Sequence, residues 1–373
     1  MAAVAMASFD SNSPQWADLK SVPQDDGPSP VCPILYDPAY AQAMDYLRAL
    51  LPTNELSKRA LDLTQHIVKM CPPNYTAWHY RARILIDGPD SELGPRQERL
   101  RAELDWLDEL AKQNMKSYQV WQHRKLIVTA YDDPSLELDF IARVLAKDSK
   151  NYHTWAYRQW VLCHFGGLPD AQNAAAHPQL WDGELAYIDE LLKQDCRNNS
   201  AWNHRFFCIF ATDRAKRGLW PSVGEDEGQC VTSEVAYAKM QIALVPNNAS
   251  AWNYLRGVSR LDPVSAVHKT QSVSSNDINI YTCAVPLAQT LLPSSKEAKE
   301  DPQIDSRGKS PSLALEWLLD DAEQRCTSGS NVDEALRQGE EYIDRLKVAD
   351  PMRSQFWKYR LSCLRRAAAA SSA

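Results

Sequence analysis

Apolar residues recur along most of the chain in pairs of stretches with helical spacing, separated by short polar turns. Residues 184–192 read ELAYIDELL, with apolar side chains three and four positions apart and acids between them. A second stretch follows, which begins at an asparagine and carries a tryptophan and a leucine or isoleucine on one face. Because an asparagine side chain can cap exposed helix amides, each such unit predicts two consecutive helices.

The second stretch of each pair recurs along the chain, and a tryptophan marks each copy. The clearest copy is residues 150–162, KNYHTWAYRQWVL, with the frame Asn, Tyr, Trp and Arg. The tryptophans of the copies are Trp78, Trp121, Trp155, Trp202, Trp252 and, in a weaker sixth copy, Trp357. The register extends upstream, because an aromatic residue lies fifteen positions before each of five tryptophans, at Trp106, Phe140, Tyr187, Tyr237 and Tyr342. In four copies an acid lies eighteen positions before the tryptophan, at Glu103, Glu137, Glu184 and Glu234.

A single pair of such helices cannot bury its apolar stripe, whereas stacked neighbours can. The pattern therefore predicts an all-α fold, an α-α superhelix (solenoid) of repeated helix pairs with a curved binding surface. We expect a disordered leader over residues 1–15, a repeat domain over 16–366 and a short tail over 367–373. Residues 293–311 are rich in Ser, Lys, Asp and Pro, which predicts a disordered insert. The recurring tryptophans, and the arginines three positions after them, we interpret as packing residues of the repeat.

Composition and charge reduce the classes of function and the cellular compartments that fit the chain. The net charge of −7 disfavours general nucleic-acid binding, which needs a basic field. The nine cysteines are odd in number and lack paired spacing, which predicts reduced thiols and a cytoplasmic protein. No stretch has the length of a membrane span, so we expect no stable membrane insertion. Because C-x-x-C and H-E-x-x-H patterns are absent, we predict no metal site in this chain.

Four segments carry a resemblance to a known family. They read PQDDGP at residues 23–28, KSYQVWQHR at 116–124, KNYHTW at 150–155 and RNNSAWN at 197–203. Together they resemble the CaaX prenyltransferase α subunits, which protein farnesyltransferase and protein geranylgeranyltransferase type I share. The resemblance covers roughly residues 15–365, apart from 293–311.

The resemblance implies a crescent-shaped chain wrapped around a β subunit in a heterodimer. Enzymes of this family transfer a farnesyl or geranylgeranyl group from its diphosphate to the cysteine of a C-terminal CaaX motif. The family's β subunit holds Zn²⁺ and most of the isoprenoid pocket, and Mg²⁺ is implied as well. This chain would bind no cofactor itself and would be active only with the β subunit. Its partners would be that subunit, a prenyl diphosphate and CaaX proteins.

Residue by residue, the resemblance also implies a site. Lys116 matches the lysine that meets the diphosphate, and Gln119 matches the glutamine that binds the carboxylate of the substrate peptide. Further substrate-binding positions match Tyr75, Tyr118, Asn151, Tyr152 and His153, whereas Arg124 and Trp155 match supporting positions. Ser117 departs from the frame, which has asparagine there. Because serine also caps helices, we expect Ser117 to cap the helix that follows.

Two other readings fit a helical-repeat chain. One is the α subunit of the Rab geranylgeranyltransferase, which is built on the same repeat. Residues 119–120, Gln-Val, and the loop at 23–28 favour the CaaX branch over it. The other is a non-catalytic scaffold of the tetratricopeptide kind, but no unit shows the W-x-x-L-G-x-x-Y pattern of that repeat.

Overall fold

The computed structural model describes residues 9–167, 177–211, 227–261, 279–293 and 312–371. Within these ranges the regular elements are helical and no β-strand occurs. The chain divides into two compact units, Met1–Phe165 and Gly166–Ala373. The helices of the first unit are α1 (Pro38–Leu50), α2 (Lys58–Met70), α3 (Tyr75–Asp87), α4 (Asp90–Leu93), α5 (Arg96–Gln113), α6 (Tyr118–Tyr131), α7 (Glu137–Leu145) and α8 (Tyr152–Gly166), which ends at the boundary.

The second unit is helical in the same way. Its described helices are α9 (Glu184–Gln194), α10 (Asn199–Phe206), α11 (Glu227–Leu244), α12 (Ala249–Leu261), α13 (Val285–Thr290), α14 (Ser312–Thr327), α15 (Val332–Ala349) and α16 (Ser354–Ser371). A π-helical turn, Phe207–Ala211, continues α10. None of the described helices combines the length and the apolar character needed to cross a membrane.

The predicted helix pairs are present, and asparagine caps the second helix of four of them. The side-chain oxygens of Asn74, Asn151, Asn198 and Asn248 accept hydrogen bonds from amides two or three residues on, at 2.9–3.1 Å. The expectation for Ser117 is wrong. Its side chain caps no amide of α6, because the hydroxyl donates instead to Oε1 of Gln119 at 3.3 Å.

The recurring tryptophans are buried, as predicted, and each also closes a turn. The indole Nε1 atoms of Trp78, Trp121, Trp155, Trp202 and Trp252 donate to the carbonyl six residues earlier, at 2.7–2.9 Å. That carbonyl lies in the turn between the two helices of a pair. The tryptophan therefore packs the core with its ring and fixes the turn with its N–H.

The recurring arginines bind the acid of the following repeat. The buried pairs are Arg81–Glu103, Arg124–Glu137 and Arg205–Glu234, with an Nε–carboxylate distance of 2.7–2.8 Å in each. Each guanidinium also lies over the aromatic ring three residues after that acid, namely Trp106, Phe140 or Tyr237, at 3.5–4.5 Å. The acid and the aromatic residue that lie eighteen and fifteen positions before a tryptophan thus bind the arginine of the preceding repeat.

The same carboxylates bind a second side chain, which belongs to the residue two positions after the repeat's tryptophan. Tyr157 and Tyr254 donate to Glu137 and Glu234 at 2.6 Å, and His123 Nε2 lies 2.8 Å from Glu103. Burial alone would raise the pKa of Glu103, but Arg81 and His123 hold it at about 2. Burial lowers the pKa of His123. The Glu103 carboxylate therefore stays ionised. Each of the three acids joins two repeats through its hydrogen bonds.

At both chain ends the structure describes residues outside the predicted repeat domain. Of the predicted leader, residues 9–15 are described, and the Phe9 ring contacts Trp16 and Tyr46 edge-on, with centroids 5.6 and 5.3 Å apart. The predicted insert lies outside the described residues except for Pro293. At the other end α16 continues into the predicted tail as far as Ser371, and Ala368 is buried. Alanine has the highest helix propensity, which explains why the helix does not stop at residue 366.

Candidate functional site

Lys116 lies in the turn between α5 and α6, and its side chain is exposed. The backbone of this turn is held firmly, because Ser117 N–H donates to the Asn114 carbonyl at 3.0 Å. The Met115 carbonyl accepts two further hydrogen bonds from buried side chains, Trp121 and Asn151. No acidic side chain of the described residues forms an ion pair with Lys116. Its ammonium is therefore available to an external anion.

Three tyrosines begin the second helices of the first unit. Tyr75, Tyr118 and Tyr152 are the first residues of α3, α6 and α8, and they are 69%, 69% and 70% exposed. Such large, similarly placed rings left to solvent are typical of a surface that binds a partner or ligand. They coincide with three of the predicted substrate-binding residues.

His153 joins the second and third of these tyrosines. Its ring contacts Tyr118 edge-on, with centroids 4.3 Å apart, and lies 5.5 Å from the Tyr152 ring. Partial burial lowers the pKa of His153, so the imidazole is neutral near pH 7. A neutral imidazole between two phenols offers one hydrogen-bond donor and one acceptor.

Gln119 and Tyr75 line one cavity of about 360 Å³ between α3 and α6. His79 stacks on Tyr75, and Leu126 lies on the wall that α6 contributes. An adjoining groove of about 570 Å³ shares Leu126 and extends to Trp160 on α8. The structure thus brings Gln119 next to Tyr75 in a recess that can hold the end of an extended peptide.

Three predicted site residues are buried instead. Arg124 and Trp155 are 3% and 6% exposed, and their supporting roles stay predictions. Asn151 is 3% exposed, and its oxygen and nitrogen atoms form hydrogen bonds within the chain. Asn151 therefore lies behind the turn that carries Lys116, and its direct contact with a substrate stays a prediction.

Sequence reasoning missed the apolar part of the groove, which Leu126 and Trp160 form. Lys125 lies beside Trp160, with its ammonium 5.1 Å from the ring centroid, and burial lowers the pKa of Lys125. The available signal was the spacing of Gln119, Gln122 and Leu126, which places all three on one face of α6. That face forms the wall of a groove only because α3 and α8 pack beside α6 in the folded chain.

Among the described residues, one group brings three potential metal ligands together. Glu184, His204 and Cys208 are buried, with their ligand atoms within 4.8 Å of one another. His204 Nε2 lies 2.6 Å from the carboxylate of Glu184, as His123 Nε2 lies 2.8 Å from that of Glu103. The arrangement thus reproduces the hydrogen bond that other repeats make. Around Lys116 the chain supplies an ammonium, phenols and amides, which suit an anion and a peptide better than a metal.

A family model described as the protein prenyltransferase alpha subunit repeat matches residues 57–86, 100–131, 134–165, 181–212 and 231–261. These are the first five helix pairs. The farnesyltransferase/geranylgeranyltransferase type-1 subunit alpha of Pisum sativum is 34% identical over 95% of this chain and 95% of its own length. That of Dictyostelium discoideum is 37% identical over 69% of this chain and 73% of its own length.

A solved structure agrees with these matches. It is described as Candida albicans protein geranylgeranyltransferase-I complexed with GGPP, and one of its chains superposes with a TM-score of 0.69 at 29% identity. The match covers 95% of this chain and 100% of that chain. The predicted all-α superhelix of repeated helix pairs is thereby confirmed.

The alternative readings are less well supported. The geranylgeranyl transferase type-2 subunit alpha of Bos taurus is 29% identical, and the match covers 45% of its length. A non-catalytic scaffold does not fit relatives that are named as transferase subunits. The chain belongs to the protein prenyltransferase α subunits, in the branch of the farnesyltransferase/geranylgeranyltransferase type-1 α subunits.

Proposed function

We propose that this chain is the α half of a heterodimeric CaaX prenyltransferase and that its first unit forms one side of the active site. The observation that carries the proposal is the clustering of the predicted residues at the start of α3, α6 and α8. Lys116 lies in the turn two residues before Tyr118, His153 contacts Tyr118, and Gln119 shares a cavity with Tyr75.

The reaction requires charge stabilisation at the diphosphate. The bond between carbon C1 of the prenyl group and the diphosphate oxygen breaks, and the cysteine sulfur forms the new bond to C1. Negative charge grows on the leaving diphosphate as that bond breaks. An ammonium on a fixed turn lowers the energy of this transition state more than that of the bound substrate, and Lys116 is placed to supply it.

The peptide would enter through the cavity between α3 and α6. The Gln119 amide can donate a hydrogen bond to a terminal carboxylate, and Ser117 restrains the amide through its hydroxyl at 3.3 Å. Tyr75, opposite, would pack against the last side chain of the peptide. These contacts bind the substrate but do not change as the C1–oxygen bond breaks, so they affect peptide affinity more than the rate of the chemical step.

The partner completes the site. The exposed tyrosines offer a surface for a β subunit, which would close the site from the other side. When bound, Zn²⁺ would activate the cysteine sulfur, and the resemblance to the family assigns it to the β subunit. The described residues around Lys116 include no group of three potential metal ligands. Mg²⁺ would accompany the diphosphate. The nine cysteines, all among the described residues, form no disulfide, which supports the cytoplasm as the compartment.

Replacing Gln119 with alanine tests the proposed peptide site. In the heterodimer we expect the KM for a CaaX peptide to rise by about tenfold, the effect of losing one hydrogen bond to a charged group, with kcat within about twofold. Gln194→Ala, on an exposed end of α9, is the control and should leave KM unchanged. The measurement is steady-state kinetics with varied peptide.

A peptide with an amidated C-terminus sharpens the experiment. It lacks the carboxylate, so Gln119→Ala should cost it much less than it costs the free acid. An equal rise in KM for both peptides would show that Gln119 does not bind the carboxylate.

A further inference from the structure

Two side chains from different repeats bind the backbone carbonyl that precedes Lys116. Trp121 Nε1, from the same repeat, donates to the Met115 carbonyl at 2.9 Å. Asn151 Nδ2, from the next repeat, donates to the same oxygen at 3.3 Å. The peptide group that these donors hold is the one that links Met115 to Lys116.

The arrangement recurs in the second unit, which shows that it belongs to the repeat. There the Cys196 carbonyl accepts from Trp202 Nε1 at 2.9 Å and from Asn248 Nδ2 at 2.6 Å. The residue after that carbonyl is Arg197, which occupies the position of Lys116. In the first copy no such turn precedes Asn74, and its Nδ2 donates to the Tyr40 hydroxyl at 2.8 Å instead.

We propose that Asn151 is a positioning residue, which fixes the turn of the preceding repeat so that Lys116 meets the diphosphate in a reproducible place. The inference rests on the proposed function. Asn151 and Trp121 are 3% and 4% exposed, whereas the side chain of Lys116 is in solvent. A long side chain with four rotatable bonds loses reach and direction when its own backbone moves. The fold controls where the Lys116 ammonium lies by holding the peptide plane next to it.

Asn151 has two separable tasks. Its Oδ1 accepts from the Thr154 amide at 3.1 Å and so caps α8. Its Nδ2 holds the Met115 carbonyl and also lies 3.3 Å from Asp148 Oδ2. Serine at this position keeps a capping hydroxyl but has no N–H to donate to Met115, and it adds no charge.

The experiment compares Asn151→Ser with Asn248→Ser in the heterodimer. Both variants lose the same kind of anchor, but only the first releases the turn that carries Lys116. We expect Asn151→Ser to lower the single-turnover rate constant of prenyl transfer by about three- to tenfold, the scale for a misplaced catalytic group, with the peptide KM within about twofold. Asn248→Ser should leave the rate constant unchanged.

A second arm combines Asn151→Ser with Lys116→Ala. If Asn151 acts through Lys116, the double variant should be no slower than Lys116→Ala alone. Asn151→Asp keeps the capping oxygen but replaces the donor with a charged acceptor beside Asp148, so it should show at least the kinetic loss of Asn151→Ser. An unchanged unfolding temperature of the Asn151→Ser heterodimer guards against a folding defect.

Three results would overturn the proposal. The first is a wild-type rate for Asn151→Ser beside a slow Lys116→Ala, which removes the positioning role alone. The second is an additional loss in the double variant as large as in the wild-type background. The third is a wild-type rate for Lys116→Ala, which removes the proposed role of Lys116 and this inference with it.

Discussion

Replacing Lys116 with alanine should lower the single-turnover rate constant of prenyl transfer by about ten- to a thousandfold, the scale for removing one donor that stabilises transition-state charge. Binding of the prenyl diphosphate should weaken much less, because the charge on the leaving group is smaller before the bond to C1 breaks. The exposed ammonium has no ion-pair partner in the part of the chain that the structure describes. The ammonium can therefore bind an anion without first leaving an ion pair with the described part of the chain.

Arg197→Ala is the matched control for this variant. Arg197 lies in the equivalent turn of a later repeat, five residues before Trp202, and is also exposed. Its loss removes one positive charge from the same register position but should leave the rate constant within about twofold. Equal losses for the two variants would indicate a general field effect, and no loss for Lys116→Ala would mean that this lysine is only a solvated residue at a helix start.

Replacing Arg124 with methionine should lower the free energy of unfolding by about 3–5 kcal/mol, the cost of leaving a buried charge without its partner. The guanidinium contacts Glu137 through two nitrogens at 2.8 Å each and Asp108 through the third at 2.7 Å. It also lies 3.5 Å from the centre of the Phe140 ring. Methionine fills much of the same space, so most of the loss reports the abandoned Glu137 carboxylate rather than a cavity.

Arg143→Met is the control, because Arg143 binds the same Asp108 at 3.2 Å with a side chain that is 62% exposed. An exposed ion pair contributes little, so we expect a change within about 0.5 kcal/mol. Urea denaturation of the full chain, at one protein concentration for all variants, measures both values. A loss below about 1 kcal/mol for Arg124→Met would show that the buried pairs do not hold successive repeats together.

The sequence was sufficient to predict the helix pairs, the asparagine caps and the buried tryptophans, because each follows from spacing within one repeat. It also contained the acid and the aromatic residue upstream of each tryptophan, but not their purpose. Arg124 and Glu137 are thirteen residues apart and Arg205 and Glu234 are twenty-nine apart, so only the stacking of repeats reveals that they meet. Ser117 shows the same limit. Its hydroxyl could accept from an amide of α6 or donate to Gln119, and spacing alone does not decide between the two.

The candidate site was less accessible to residue-level reasoning. Lys116, taken alone, is one lysine at the start of a helix, and the resemblance to a family was what distinguished it. The cavity that Tyr75 and Gln119 share depends on how α3 packs against α6, which no local pattern specifies. The anchoring of Met115 by Asn151 joins residues thirty-six positions apart, and it is visible only as a hydrogen bond in the folded chain.

The most direct measurement is transferase activity of the purified chain, alone and with each of two β chains. Alone, it should transfer no prenyl group to a CaaX peptide, because the described residues at the site include no set of metal ligands for the cysteine sulfur. With a farnesyltransferase β chain it should transfer farnesyl, and with a geranylgeranyltransferase type I β chain it should transfer geranylgeranyl. Turnover by the chain alone, or a chain that forms a heterodimer with neither β subunit, would contradict its assignment as the shared α subunit.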